Sequence, residues 1–206
     1  VGYQALDANT TGTSSVAIGR ASLTSASTGN YNVGVGHSTL HNTTTASNNT
    51  AVGYLALTMN TTGDRNVAVG ANALDANTTA SFNVGVGHNS LTANTTGDRN
   101  VALGFEAMFT NTVGDRSVAV GMQALYKQNP SSNADMNNVA IGHSAGFEIT
   151  TGTNNIAIGA GALDANTTAS NNTAVGHVAL SANTTGTENV AVGANALDAN
   201  TTGGSN

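Results

Sequence analysis

A glycine preceded by Val, Ile or Leu recurs at Gly2, Gly19, Gly36, Gly53, Gly70, Gly87, Gly104, Gly121, Gly142, Gly159, Gly176 and Gly193. The spacing is seventeen residues at every step but one: between Gly121 and Gly142 it is four residues longer. A fixed period of this size predicts a solenoid, in which each repeat forms one coil and buries its apolar face only against its neighbours. A coil is numbered here by its repeat glycine, so coil one starts at Gly2 and coil twelve at Gly193.

Coil five and the turn that closes it read Asn66-Val-Ala-Val-Gly70-Ala-Asn-Ala-Leu-Asp-Ala-Asn-Thr-Thr-Ala-Ser-Phe82. Two β-branched residues flanking a small one before the glycine predict a short strand. The Val, Ile or Thr residues of that strand are expected to face into the coil. The column between them, Ala17, Gly34, Ala51, Ala68, Gly85 and Ala102, never departs from Ala or Gly. Close approach of another surface would impose this, either a crowded interior or a second chain, and the second chain is the preferred expectation. Four residues after the glycine stands Leu in ten of twelve coils, with Met108 and Gly146 as the departures. It predicts a second strand filling the core. An Asn-Thr-Thr-Gly or Asn-Thr-Thr-Ala turn then closes the coil, since Asn and Thr side chains satisfy local backbone groups. The Asn opening each strand, from Asn32 to Asn189, would form ladders at about 4.8 Å per coil.

The fold class is therefore all-β, a parallel β-solenoid or β-roll of about twelve 17-residue coils, a rod of roughly 55 Å at strand spacing. Residues 1–206 form one repeat array, read as a piece of a longer fibrous protein or as a unit that continues head to tail into a neighbouring copy. Its core is thin, and association of several rolls, three by preference, would compensate. Charged residues are only 8 % of the chain and aromatics 4 %, too few for an ordinary globular interior. Five Lys and Arg against a formal net charge of −6 argue against nucleic acid or an anionic membrane as partner. No apolar run approaches the roughly twenty residues of a membrane span.

Asn66-Val-Ala-Val-Gly70, Asn155-Ile-Ala-Ile-Gly159 and Asn189-Val-Ala-Val-Gly193 resemble the head repeat of YadA-like trimeric autotransporter adhesins. The longer form Asn49-Thr-Ala-Val-Gly-Tyr-Leu-Ala-Leu57, with its Asn60-Thr-Thr-Gly63 turn, is similar to repeats of phage tail fibres and large bacterial surface proteins. The resemblance implies a left-handed roll, a homotrimer and an extracellular place on a virion fibre or a bacterial cell surface.

Four of the five histidines, His37, His88, His143 and His177, follow a repeat glycine in non-adjacent coils, at least about 10 Å apart at strand spacing, too far to share a metal. The pairs Asp64-Arg65, Asp98-Arg99 and Asp115-Arg116 share one turn position and predict a solvated ion-pair ladder. Asn-Thr-Thr occurs eight times, beginning at Asn9, Asn42, Asn60, Asn77, Asn94, Asn166, Asn183 and Asn200, and each is formally a glycosylation acceptor. No nucleophile, paired-carboxylate or phosphate-loop pattern stands above the repeat, so no enzyme, cofactor or metal is expected.

The irregularity lies in coils seven to nine. Phe109, Tyr126 and Phe147 share the column five residues after the glycine and should stack as an aromatic ladder. Phe105 and Met122 share one edge, and the insertion, within 126–137, is expected to bulge beside them with the only Pro and the only Lys, Lys127. Exposed aromatics among amides and acids suit a host-cell surface glycan or protein. Alternatively the ladder plugs a gap in the roll or packs between chains. The function expected is a non-enzymatic fibre segment of an adhesin or tail fibre that spaces and presents a recognition surface. The alternative is a structural filament or sheath that binds only its own copies.

Overall fold

The computed structural model describes all of residues 1–206. Eleven three-residue strands, from Val16–Ile18 to Val190–Val192, form one parallel sheet in chain order, and there is no helix. Pairing is in strict repeat register: Val67 lies beside Val84, Ala68 beside Gly85 and Val69 beside Val86. Across the insertion Val118 pairs with Val139, so the four extra residues leave the register intact. The chain is a parallel β-solenoid that gives one strand per coil to this sheet.

The second strand expected at the Leu position does not form. That segment is a turn in which Asn72 and Leu74 take left-handed backbone conformations, with φ of 55° and 51°. A left-handed Leu costs about 1–2 kcal/mol and persists only where its surroundings over-determine it. Here the ladder does so: Asn72 N donates down to Tyr54 O at 2.9 Å and Leu74 N donates up to Ser90 O at 3.0 Å. Only 21 of the 129 backbone–backbone hydrogen bonds lie within strands, so turn segments carry most of the coil-to-coil cohesion. The repeat glycine starts the turn. Gly70 has φ of 137°, and a Cβ on it would stand 2.4 Å from the carbonyl oxygen of Gly87 in the next coil.

The pleat runs opposite to expectation. Ala17, Ala51, Ala68 and Ala102 are buried, the last three at 0 %, and Gly34 and Gly85 are buried with them, so this column is the coil interior and not a contact with a second chain. The Val and Ile on either side point outward, as Val69 at 36 % and Ile18 at 48 % exposed illustrate. The reason is the narrow cross-section: the strand faces a turn, and the inward Leu of that turn leaves room for no more than a methyl group. A Cβ on Gly85 would already lie 3.3 Å from Leu74 Cγ, and one on Gly34 would lie 2.5 Å from Ser22 Oγ.

Two buried polar ladders complete the interior. At the strand entry, Asn83 N donates to Asn66 Oδ1 at 2.9 Å, Asn83 Nδ2 donates to Gly97 O at 2.8 Å, and Asn83 Oδ1 accepts from Asn100 N at 2.8 Å. The second ladder, which the sequence reading took for simple turn chemistry, runs through the Asn of Asn-Thr-Thr. Asn77 Nδ2 donates both to Asn60 Oδ1 at 2.9 Å and to Ala80 O at 3.1 Å. Asn60, Asn77, Asn94, Asn166 and Asn183 are fully buried, so the folded coil offers none of these amides to a glycosyl donor.

At two places in coils seven to nine a changed ladder residue is matched by a change beside it. Ser117 is too short for the first ladder, and Gln128, one methylene longer than the usual Asn, reaches across. Its Oε1 accepts from Ser117 Oγ at 3.2 Å and from Asn138 Nδ2 at 2.9 Å. In coil nine, Gly146 replaces the core Leu and Ile149 replaces the ladder Asn. A Cβ on Gly146 would stand 2.9 Å from Ile149 Cδ1, which shows that the isoleucine fills the space the leucine vacates.

Candidate ligand-binding surface

The aromatic column stacks as the spacing predicts. Phe109 and Tyr126 have ring centroids 5.2 Å apart at 3° between planes, and Tyr126 and Phe147 follow at 5.0 Å and 5°. All three are half-buried. Beside the last rung, Lys127 Nζ donates to Glu148 at 2.7 Å and lies 5.6 Å from the Phe147 centroid. Phe105 and Met122 occupy a separate column, 43 % and 45 % exposed, where the Phe105 ring stacks on His88 at 5.7 Å. His37 likewise stacks on Tyr54, at 5.4 Å. No three His, Asp or Glu side chains come together in a way that could hold a metal.

The insertion packs on a different edge. Its buried residues Pro130 and Met136 cover Gly114, where a Cβ would meet Met136 Cγ at 3.0 Å and Pro130 Cδ at 3.1 Å. There Ala134–Asp135 pairs with Gly114–Asp115 as a second, two-stranded sheet. The excursion therefore seals a turn edge, rather than bulging beside Phe105 and Met122.

The Asp-Arg pairs do other work than an ion-pair ladder. Asp64 Oδ1 accepts from Ser47 N and Asp98 Oδ1 from Ser81 N, each at 2.7 Å, so these carboxylates cap backbone groups of the preceding coil. The guanidinium carbons of Arg65 and Arg99 lie 5.3 Å and 5.6 Å from the Phe82 centroid, a cation–π sandwich. Only Arg116 reaches a carboxylate of a neighbouring coil, that of Asp135.

One concavity, of about 530 Å³, opens where the aromatic ladder ends. The sequence reading missed it, although its signal was present. Coil ten carries Ala160 and Gly161 where coils nine and eleven carry His143-Ser144 and His177-Val178, and this side of the rod is dented by the missing side chains. Phe147, Glu148 and Asp164 form one wall. Burial first, and then the Glu148 carboxylate, push the Asp164 carboxyl above its ordinary range, while His143 draws it down. Val178, a β-branched residue at φ of 49°, is held on the rim by its N–H to Ala160 O at 2.9 Å.

Compared with protein-family models, curated proteins and solved structures, the chain matches none.

Proposed function

We propose that this chain is a segment of an extracellular, non-enzymatic fibre, of the adhesin or phage tail-fibre kind, whose copies associate along the sheet and space a recognition surface from its base. The observation that carries the reading is the outward Val face. Each of the eleven strands turns two side chains outward, all Val, Ile or Leu except Thr50 and Thr173. With on the order of 50 Å² open on each, the strip exposes roughly 1,000 Å², above the few hundred Å² tolerated on soluble monomers and the about 800 Å² per partner of a standard interface. A second and third copy of the same rod, laid in parallel, match this strip in length and chemistry. The interface thus belongs to the Val columns, while the aromatic and dented face stays free for a host-surface glycan or protein.

The test substitutes Val67→Lys, Val84→Lys and Val101→Lys together. These side chains already face outward, so the coils should keep their circular dichroism spectrum while sedimentation falls from an oligomer to a single chain. A wild-type chain that sediments as a monomer at micromolar concentration would sink the reading of self-association. Binding of the intact oligomer to cells separates the presenting fibre from a sheath that binds only its own copies.

A further inference from the structure

We propose that the dent at coil ten is a binding site for one uncharged pyranose ring, which enters as the fourth rung of the Phe109–Tyr126–Phe147 stack. One face of the Phe147 ring is covered by Tyr126 at 5.0 Å. The next residue in that column is Asp164, which has no ring, so the stack stops with its other face towards the concavity that Phe147 and Asp164 both line. The C–H face of a pyranose is the kind of flat, apolar surface that an aromatic ring receives.

The size fits a single ring. His143 and His177 flank the dent from coils two apart, a separation of about 10 Å at strand spacing. Between them Ala160 and Gly161 supply a floor without side-chain bulk, and the open volume is about 530 Å³. The polar groups are acceptors placed for hydroxyls: the Asp164 and Glu148 carboxylates stand on one wall, and the exposed imidazoles on the rims can donate or accept.

Charge selects against anionic sugars. The one ammonium nearby, Lys127, is held by both Glu148 oxygens at 2.7 Å and 2.8 Å, and no guanidinium lines the dent. A sialic or uronic acid would face the Asp164 carboxylate with no free ammonium or guanidinium to pair with, since Glu148 already holds Lys127. A neutral hexose meets no such cost.

The biological meaning of the site rests on the reading of the rod as a presented surface, but its chemistry is tested apart from it. Methyl α-mannoside, methyl β-glucoside and methyl β-galactoside are the probes, with sialic acid as the charged control, and saturation-transfer NMR on the full chain is the readout. At least one methyl glycoside should receive saturation, and sialic acid none. The variant Ala160→His with Gly161→Asn installs the pair that coil six carries as His88-Asn89, where Asn89 has φ of 55°, against 64° at Gly161. It should abolish transfer with an unchanged circular dichroism spectrum and, because a Cβ at position 161 stands 3.1 Å from Val178 Cγ1, with a melting temperature lowered by about 2–4 °C at most. Asp164→Asn, which keeps the shape, should weaken binding about tenfold, and Tyr54→Leu, six coils away, should leave it unchanged. The proposal fails if no neutral glycoside binds, if binding survives the filled dent, or if sialic acid binds as well. Glycoside binding without attachment of the oligomer to cells would remove the fibre reading and leave the site. Attachment without glycoside binding would do the reverse.

Discussion

Exchanging the two altered residues of coil nine for the regular pair tests whether the solenoid is a set of matched columns. Ile149 is fully buried and sits against Gly146, where an added Cβ would come within 2.9 Å of its Cδ1 and 3.1 Å of Leu125 Cδ2. Ile149→Asn alone removes a buried aliphatic side chain worth about 1.5–3 kcal/mol and opens a void beside Gly146, for a total of about 3–4 kcal/mol. Gly146→Leu alone overpacks the same space, at about 1–3 kcal/mol, and adds about 1 kcal/mol for a side chain at φ of 62°. Made together, the substitutions rebuild the Leu and Asn of a regular coil. The new amide at position 149 can donate to Gly152 O, as Asn166 does to Ala169 O at 3.0 Å. It also lies between Gln128 and Asn166 and would join the two halves of the second ladder. The double variant should sit within about 1 kcal/mol of wild type, a coupling of about 5 kcal/mol where independent sites show almost none. Thermal unfolding followed by far-UV circular dichroism reads this directly: each single variant should melt roughly 4–16 °C lower and the double variant within a few degrees of wild type. Additive losses in the double variant would refute the matched-column argument.

Two further outcomes follow from the buried polar groups. Asn83→Ala leaves Asn100 N–H without a partner inside the coil, while Gly97 C=O keeps the bond from Asn94 Nδ2 at 3.0 Å, so the one orphan should cost about 1–3 kcal/mol in urea unfolding; a loss under about 0.5 kcal/mol would mean water enters the ladder. Asp75 accepts from Thr92 Oγ1, yet burial outweighs that bond and pushes its carboxyl above the ordinary aspartate value of 3.8. Because the folded chain then holds the proton more tightly than the unfolded one, its stability contribution is greatest below pH 3.8 and is lost as pH rises through the folded value. Asp75→Asn should therefore raise the melting temperature at pH 7, with the gain shrinking as the pH is lowered; a gain independent of pH would contradict the burial argument.

The coil length, the parallel register and the aromatic stack were legible because each follows from spacing alone: residues seventeen apart are neighbours whatever the shape of the coil. Inside and outside were not legible. In Val-Ala-Val the period-two pattern marks two faces without saying which is buried, and the usual preference for burying Val lost to a cross-section that fits only Ala opposite Leu. Nothing in residue preference announces a leucine at φ of 51°, such as Leu74, and without that turn the expected second strand looked natural. The dent was visible as Ala160-Gly161 interrupting two columns, but only the fold reveals that those columns adjoin the one ending at Phe147.

The paired exchanges at Ser117 with Gln128 and at Gly146 with Ile149 also bear on how such a chain can change length. Over most of the rod the Ala or Gly strand column and the Leu column repeat from coil to coil, so unequal recombination that removes or duplicates one 17-residue unit rebuilds the strand pairing and the packing of that interior. A crossover between Ser117 and Gln128 parts the glutamine from the serine it was lengthened to reach. The stretch from coil seven to coil nine is in that sense inherited whole, while the array on either side is free to grow and shrink.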